Sequence, residues 1–252
     1  MTSRIFHYTS FETFKLIIKN KTIRFNSLKN VDDYEEGLTT DVGHKSQYFF
    51  ASCWTRDDEE SIPLWTMYVK DRFAVRIEID SNFIYPEINK NHQIINHTND
   101  NACCYPIIRE GGKPEFFSDV VYQEEPKVNM FLNYYGMISP EYIKGFCLLK
   151  RKSWAFQKEC RFLLQASPKS HSYRRSDEIP YWNHYESIVN NDPTDIEFID
   201  VLYDSNKMKK ANFMLGPSTT AEDFNEFILF INETIDDFEG DVTRSKVLIR
   251  PR

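Results

Sequence analysis

The clearest pattern in the chain is a strict alternation of large apolar residues with other residues. Residues 73–80 read FAVRIEID, in which the odd-numbered positions are all large apolar residues. Neighbouring side chains on a β-strand point to opposite faces of the sheet, so a period of two is typical of a strand with one buried face. The pattern therefore predicts a half-buried strand at residues 73–80.

Other short segments with strand-like composition occur along the whole chain. We predict further strands at residues 4–8, 22–25, 48–54, 120–123, 158–164, 198–203 and 242–249. Isolated helical segments separate them, without the regular strand–helix alternation of a doubly wound parallel sheet. This order favours an α+β fold.

Three of the helices are predicted from their first residues. Thr9 and Glu12 have the spacing of a capping box, ahead of a helix with an apolar face from Phe11 to Ile18. Ser61 is a candidate N-cap with Pro63 early in the next helix, and Thr220 is a candidate N-cap late in the chain. Residues 129–153 are interpreted as mostly helical.

Three segments are interpreted as irregular. Residues 26–37 form an acidic loop, residues 81–115 a polar, Asn-rich insertion, and residues 175–195 a surface loop. We see no repeat or linker that divides the chain, so we predict a single domain over residues 1–252 with the insertion at 81–115.

Composition excludes several classes of protein. The chain has only 8 glycines and contains neither G-x-G-x-x-G nor G-x-x-x-x-G-K, which excludes a Rossmann dinucleotide site and a P-loop as written. With 41% hydrophobic and 15% aromatic residues it can form a real core. A net charge of −7 disfavours broad, non-specific coating of DNA.

The cellular compartment of the protein is inferred from its cysteines and its hydropathy. The five cysteines include no C-x-x-C pair, and their odd number fits a reducing cytoplasm. The chain lacks the apolar region of a signal peptide, and no apolar run reaches the ~18 residues of a spanning helix. We therefore expect a cytoplasmic protein without membrane contact, and we expect no metal.

Chemically capable side chains are clustered near three strand ends, where folds often display functional residues. The first cluster is His7-Tyr8-Thr9. The second runs from Ser52 through the helix that holds Trp65 and Tyr68. The third is Gln157-Lys158-Glu159-Cys160-Arg161, where a strand opens.

The order of these clusters resembles the His-Tyr-Glu branch of the ADP-ribosyltransferase superfamily. That branch has a histidine on its first strand, a strand–turn–helix unit with a tyrosine, and a glutamate that begins a later strand. The chain is also similar to a bacterial family, formerly of unknown function, that contains H-Y-T, N-D-x-x-E and W-x-x-E-x-E-x-R. Here these segments are residues 7–9, 32–36 and 154–161.

Two positions depart from that bacterial pattern. Asp32 replaces the usual Asn, and Gln157 replaces the first Glu. The resulting Gln-x-Glu pair is used by other transferases of the superfamily. The resemblance implies split antiparallel β-sheets flanked by short helices.

The resemblance also implies roles toward NAD, which would be a substrate. Breaking the nicotinamide–ribose bond creates an oxocarbenium-like centre, and a carboxylate near the ribose stabilises it. Glu159 would supply that carboxylate and accept the proton of the attacking group, and Gln157 would position the acceptor. Tyr68 would stack on nicotinamide. The remaining implied NAD contacts are His7, Tyr8, Thr9, Arg24 and Ser52, of which Thr9 and Arg24 would reach the phosphates.

Each candidate also has a structural interpretation. His7 could be a buried histidine, Tyr68 a core tyrosine, and Glu159 the partner of Arg161 or Lys158. The acidic residues of the loop could coordinate a cation, but their spacing matches no calcium loop, and the loop is interpreted as solvated. They are Asp32, Asp33, Glu35 and Glu36. The basic residues with Trp154 and Phe156 among them predict a solvated helix face, a nucleic-acid groove or a grip on the pyrophosphate. They are Lys144, Lys150, Arg151, Lys152, Lys158 and Arg161.

The leading hypothesis is a mono-ADP-ribosyltransferase that modifies a macromolecule, either RNA, DNA or protein. A bacterial toxin or anti-phage effector of this kind would need a neutralising antitoxin protein as a partner. The alternatives are an NAD glycohydrolase and a non-catalytic module that binds nucleotide or nucleic acid.

Overall fold

A computed structural model of the chain describes residues 3–37, 39, 44–69, 72–108, 114–125, 146–172 and 180–247. The chain forms two compact units. The first comprises Met1–Ile23, Trp54–Tyr85 and Leu202–Arg252, and the second Arg24–Cys53 and Pro86–Val201. Both combine helices with mostly antiparallel strands, which confirms the α+β class.

Strands make up much of the described chain. They are β1 (Arg4–Ser10), β2 (Thr22–Ser27), β3 (Phe49–Thr55), β4 (Ala74–Asp80), β5 (Ala102–Ile108), β6 (Pro114–Glu115), β7 (Phe117–Asp119), β8 (Val121–Gln123), β9 (Leu149–Arg151), β10 (Glu159–Pro168), β11 (Phe198–Leu202), β12 (Asn212–Leu215) and β13 (Val242–Arg244).

Helices and 3₁₀ turns connect these strands. The helices are α1 (Phe11–Asn20), α2 (Ile62–Tyr68), α3 (Lys169–Ser172), α4 (Pro180–Asn190), α5 (Ser205–Met208) and α6 (Ala221–Thr234). The 3₁₀ turns are Leu28–Asn30, Ser46–Tyr48 and Lys152–Gln157.

In the first unit, the strands follow the order β13-β12-β4-β1. β1 is antiparallel to β4 along its whole length, from Arg4 opposite Asp80 to Ser10 opposite Ala74. Rings from two helices and a strand pack together in the core, with the Phe14 centroid 4.9 Å from that of Phe213 and 5.1 Å from that of Phe227.

In the second unit, β10 is the central strand. It lies between β3 and β5, it also pairs with β7, and β2 joins β3 to β11. Every residue of β10 before Pro168 is buried. Continuous burial along nine residues means that the strand is covered on both faces, so its polar residues, such as Glu159 and Arg161, are buried together with its apolar ones.

The strand predicted at residues 73–80 forms as β4 but is not half-buried. Its first four residues are all buried, and among them Arg76 is only 4% exposed. The face that was expected to be exposed carries the buried cation Arg76, whose partners are described below.

The helix caps are partly confirmed. Ser61 accepts from the amide of Leu64 at the start of α2, and Thr220 forms a capping box with Asp223. The predicted Thr9–Glu12 box is wrong, because pairing with β4 keeps the chain extended to Ser10. Ser10 therefore caps α1, accepting from the Thr13 amide at 3.1 Å.

Several irregular segments prove to be ordered elements. The predicted insertion at 81–115 contains β5, and the predicted surface loop at 175–195 contains α4. Leu149–Arg151 is a strand where a helix was predicted, whereas residues 129–145 lie outside the described chain. The final strand is only Val242–Arg244, and residues 248–249 are also outside. None of the helices in the described ranges is long and apolar enough to cross a bilayer.

Candidate functional site

The His7-Tyr8-Thr9 cluster lies on β1 in the first unit. The His7 ring is half-buried and lies 4.9 Å from the Trp54 ring. Tyr8 and Thr9 are buried; the Tyr8 hydroxyl accepts from the Ser61 amide at 3.1 Å. Tyr8 thereby connects β1 to the start of α2, a packing role that the sequence did not indicate.

Tyr68 is the last residue of α2 and is 46% exposed, so it is not a core tyrosine. Trp65 anchors the same helix from the inside: its ring meets the Tyr8 ring edge-on at 4.6 Å, and its Nε1 donates to Glu60 at 3.3 Å. The helix thus buries one aromatic residue and presents the other at its C-terminal end.

Arg76 supports the loop that leads into α2. Its guanidinium donates to the carbonyls of Asp57 and Asp58 at 2.9 and 2.6 Å, and it lies over the Phe6 ring at 4.0 Å. Buried charge is tolerated here because carbonyl oxygens and an aromatic face replace water. Arg76 was not among the sequence candidates.

Arg24 and Ser52 belong to the second unit. The Arg24 guanidinium makes two hydrogen bonds of 2.9 Å with Asp200 and lies 3.6 Å over the Phe198 ring. It is therefore engaged by a carboxylate, whereas the resemblance assigned it to phosphate. Ser52 is buried within β3.

Glu159 opens β10 directly after Lys158, which has a left-handed backbone with φ 42°. The carboxylate is buried, with 5% of the residue exposed. Arg161 Nε donates to Oε1 at 2.6 Å and Lys150 Nζ donates to Oε2 at 2.8 Å. Both oxygens of Glu159 are thus bonded to cations.

Lys150 connects Glu159 to two further side chains. Its ammonium lies 3.0 Å from Gln157 Oε1 and 3.1 Å from Glu36 Oε1, in addition to the contact with Glu159. An ammonium has three N–H donors, so three acceptors satisfy it completely. Gln157 and Glu159 are therefore brought together on a single cation.

Arg161 completes a charge network that we call the buried quartet: Glu36, Lys150, Glu159 and Arg161. Two of its N–H groups bind Glu36 at 2.5 and 2.9 Å, and one also reaches the Cys147 carbonyl at 2.8 Å. Each of the four residues is at most 5% exposed. Two carboxylates balance two cations, which is the condition under which buried charge is tolerated.

The buried quartet joins two segments that are far apart in the chain. Glu36 is the last residue of the 32–36 segment, and Glu159 and Arg161 belong to the 154–161 segment. The interpretation of the acidic loop as solvated is wrong for Asp33 and Glu36, which are 7% and 3% exposed. Their place in the bacterial N-D-x-x-E pattern was the signal that could have identified them.

The quartet determines the ionisation of Glu159. Burial alone would raise its pKa, but the charges of Arg161 and Lys150 and the Arg161 hydrogen bond outweigh burial and lower the pKa to about 2. Burial and the nearby Glu159 charge raise the pKa of Cys53, whose thiol hydrogen-bonds Glu159. Glu159 is therefore an anion at neutral pH.

Four of the five described basic residues around Trp154 are paired with carboxylates. Lys150 and Arg161 are in the quartet, Arg151 binds Glu35 through two nitrogens at 2.7 and 2.5 Å, and Lys152 binds Glu124 at 2.7 Å. Opposite charges cancel most of their attraction for phosphate. Lys144 lies outside the described residues.

His184 also belongs to a buried polar group that sequence reasoning missed. Its Nδ1 is 2.9 Å from the Ser167 hydroxyl, its Nε2 is 3.2 Å from Gln165 Oε1, and its ring lies 4.6 Å from that of Tyr105. The residue is only 1% exposed. These contacts hold α4 against β10 and β5.

The predicted site residues are thus divided between the units. His7, Tyr8, Thr9 and Tyr68 lie in the first, and Arg24, Ser52, Gln157 and Glu159 lie in the second. The structure brings Gln157 and Glu159 together, and it places Tyr8 against the start of α2. The convergence of His7, Tyr68 and Glu159 on one ligand stays a prediction.

Comparison of this chain with protein-family models, curated proteins and solved structures found no match.

Proposed function

We propose that the chain is an NAD-dependent ADP-ribosyltransferase in which Glu159 acts on the ribose next to nicotinamide. The observation that carries the proposal is the shared contact of Gln157 and Glu159 with Lys150, at 3.0 and 2.8 Å. It fixes an amide and an ionised carboxylate side by side at the start of β10. This is the arrangement that the Gln-x-Glu resemblance requires.

The role of Glu159 follows from its ionisation. A fixed anion lowers the energy of an oxocarbenium-like transition state, because positive charge develops beside it. A carboxylate with a pKa of about 2 is a weak base at neutral pH. Glu159 would therefore stabilise the developing charge and contact ribose hydroxyls. It would not accept the proton of the attacking group.

The other roles complete the proposal. Gln157 orients the acceptor, the exposed ring of Tyr68 stacks on nicotinamide, and His7 contacts the ribose or the amide. The fold would be the split antiparallel arrangement of the superfamily. The acceptor would be RNA, DNA or protein, and the biological setting a bacterial cytoplasmic toxin or anti-phage effector with an antitoxin partner.

A second function is favoured by one observation. Both carboxylate oxygens of Glu159 already have cation partners, and only 5% of the residue is exposed. A carboxylate satisfied in this way can be entirely structural. The corresponding candidate is a non-catalytic module that binds a nucleotide or nucleic acid.

The fate of labelled NAD tests these candidates. The purified chain is incubated with NAD labelled in the adenylate moiety, in separate reactions with RNA, DNA and cell lysate. Label on a macromolecule supports transfer, and free ADP-ribose without macromolecular label supports a glycohydrolase. Unchanged NAD in every reaction overturns the proposal and leaves the binding module.

A further inference from the structure

A cavity of about 490 Å³ opens within the second unit beside the acidic loop. Leu28 and Val31 line it with apolar surface, and Asp33 and His44 are among the polar residues of its wall. Its volume lies in the range of small-molecule sites, which combine an apolar lining with a few polar groups that orient the ligand.

Two atoms of this wall are buried without a hydrogen-bond partner. Asp33 is 7% exposed; its Oδ1 accepts from the Glu35 amide at 3.0 Å, whereas Oδ2 accepts nothing. His44 Nε2 is the second such atom. Buried polar atoms are nearly always paired, so two unpaired atoms on one cavity wall indicate partners that enter the cavity.

The charge of the wall indicates the type of partner. The wall carries one ammonium, Lys29, and three carboxylates, Asp32, Asp33 and Glu36. Arg161 and Lys150 already neutralise Glu36. Among the described residues, neither Asp32 nor Asp33 makes an ion pair. Burial and the Glu36 charge raise the pKa of Asp33, and they outweigh the lowering effects of the Glu35 amide hydrogen bond and of Lys150.

We propose that this cavity binds a small organic cation that carries N–H donors, either a primary ammonium or a guanidinium. Asp33 Oδ2 is closed to solvent in the structure, so the carboxylate would turn toward the cavity to accept one N–H. The hydrocarbon part would lie against Leu28 and Val31. The described part of the chain contains no group of three His, Cys, Asp or Glu side chains suited to a metal ion, so an organic cation fits the wall better. This site is separate from the proposed action on NAD.

Agmatine, which carries both an ammonium and a guanidinium, is the probe. Isothermal titration compares the wild type with Asp33→Asn, which retains the side-chain shape and the acceptor for Glu35. The matched control is Asp195→Asn, the same change of charge at an exposed residue that does not line the cavity. Tetramethylammonium is the control ligand, because it has the same type of charge without an N–H donor.

We expect saturable binding of agmatine that weakens about tenfold or more in Asp33→Asn and less than threefold in Asp195→Asn. Tetramethylammonium should bind much more weakly. Absence of saturable agmatine binding to the wild type overturns the proposal without requiring any variant to fold. Equal loss in both variants, equal affinity for tetramethylammonium, or preferential binding of Mg²⁺ or guanosine monophosphate also overturns it.

Discussion

Burial of a lysine costs free energy because the ammonium leaves water, and partners must replace every lost hydrogen bond. Lys150 meets this condition with one acceptor for each of its three N–H groups. Two of these acceptors are carboxylates that would otherwise repel each other. Lys150 is therefore both the partner and the spacer of Glu36 and Glu159.

Lys150→Met should lower the free energy of unfolding by about 3–5 kcal/mol, because two buried carboxylates would then share only Arg161. Urea denaturation measures this loss. The double variant Lys150→Met with Glu36→Gln restores the charge balance, so it should lose less than the sum of the two single variants. Additive losses would show that Lys150 and Glu36 are not coupled.

Tyr68 and Tyr85 allow a matched test of the stacking role, since both are exposed tyrosines of the first unit. Tyr68→Ala should lower kcat/KM for NAD about tenfold or more, by loss of a stacked ring, and Tyr68→Phe should retain activity. Tyr85→Ala should have no effect. Equal activity in Tyr68→Ala and wild type would remove Tyr68 from the site.

At the scale of single elements, α1 begins one residue later than its sequence pattern indicates, with Ser10 as the cap. Ser10→Ala should reduce the free energy of unfolding by about 1 kcal/mol, and Ser10→Gly by only a few tenths. Thermal or urea unfolding distinguishes the two substitutions. No loss in Ser10→Ala would mean that the Ser10 hydroxyl contributes nothing to the cap.

The elements that local patterns specify were predictable. β1, β3, β4, α2 and α6 have alternation, helical spacing or an N-cap of their own, and each forms close to its expected position. β5 and α4 lack such patterns, because their composition is polar or mixed. They are ordered by non-local pairing, β5 along β10 and α4 through buried His184.

The candidate site was predictable to a similar extent. The order of the motifs identified Gln157 and Glu159, but no local rule shows that Glu36 and Lys150 meet them. Contacts between residues more than a hundred positions apart depend on the fold. The sequence also could not indicate that Arg24 is engaged by Asp200.

For the whole molecule, the buried quartet makes stability depend on pH. The pKa of Glu159 is about 2 in the folded chain, below the ordinary value of 4.5. Its contribution, about 3 kcal/mol, is fully present above pH 4.5 and is lost as pH falls from 4.5 toward 2. The urea concentration at the midpoint of unfolding, measured from pH 7 to pH 3, should decrease once the pH is below 4.5.

Many carboxylates titrate in the same range, so Glu159→Gln serves as the control for that prediction. Its stability should be lower than that of the wild type at pH 7, and the difference should shrink toward pH 3. A difference that is constant from pH 7 to pH 3 would mean that Glu159 has an ordinary pKa in the folded chain.

Release of nicotinamide from NAD is the measurement that tests the central proposal most directly. The rate is compared for the wild type, Glu159→Gln and Glu35→Gln, the latter an equivalent change in the partly exposed partner of Arg151. We predict release by the wild type, a loss of at least about 100-fold in Glu159→Gln, and a nearly unchanged rate in Glu35→Gln. Circular dichroism verifies that the variants are folded. No release from the wild type, or equal release from folded Glu159→Gln, would contradict the account.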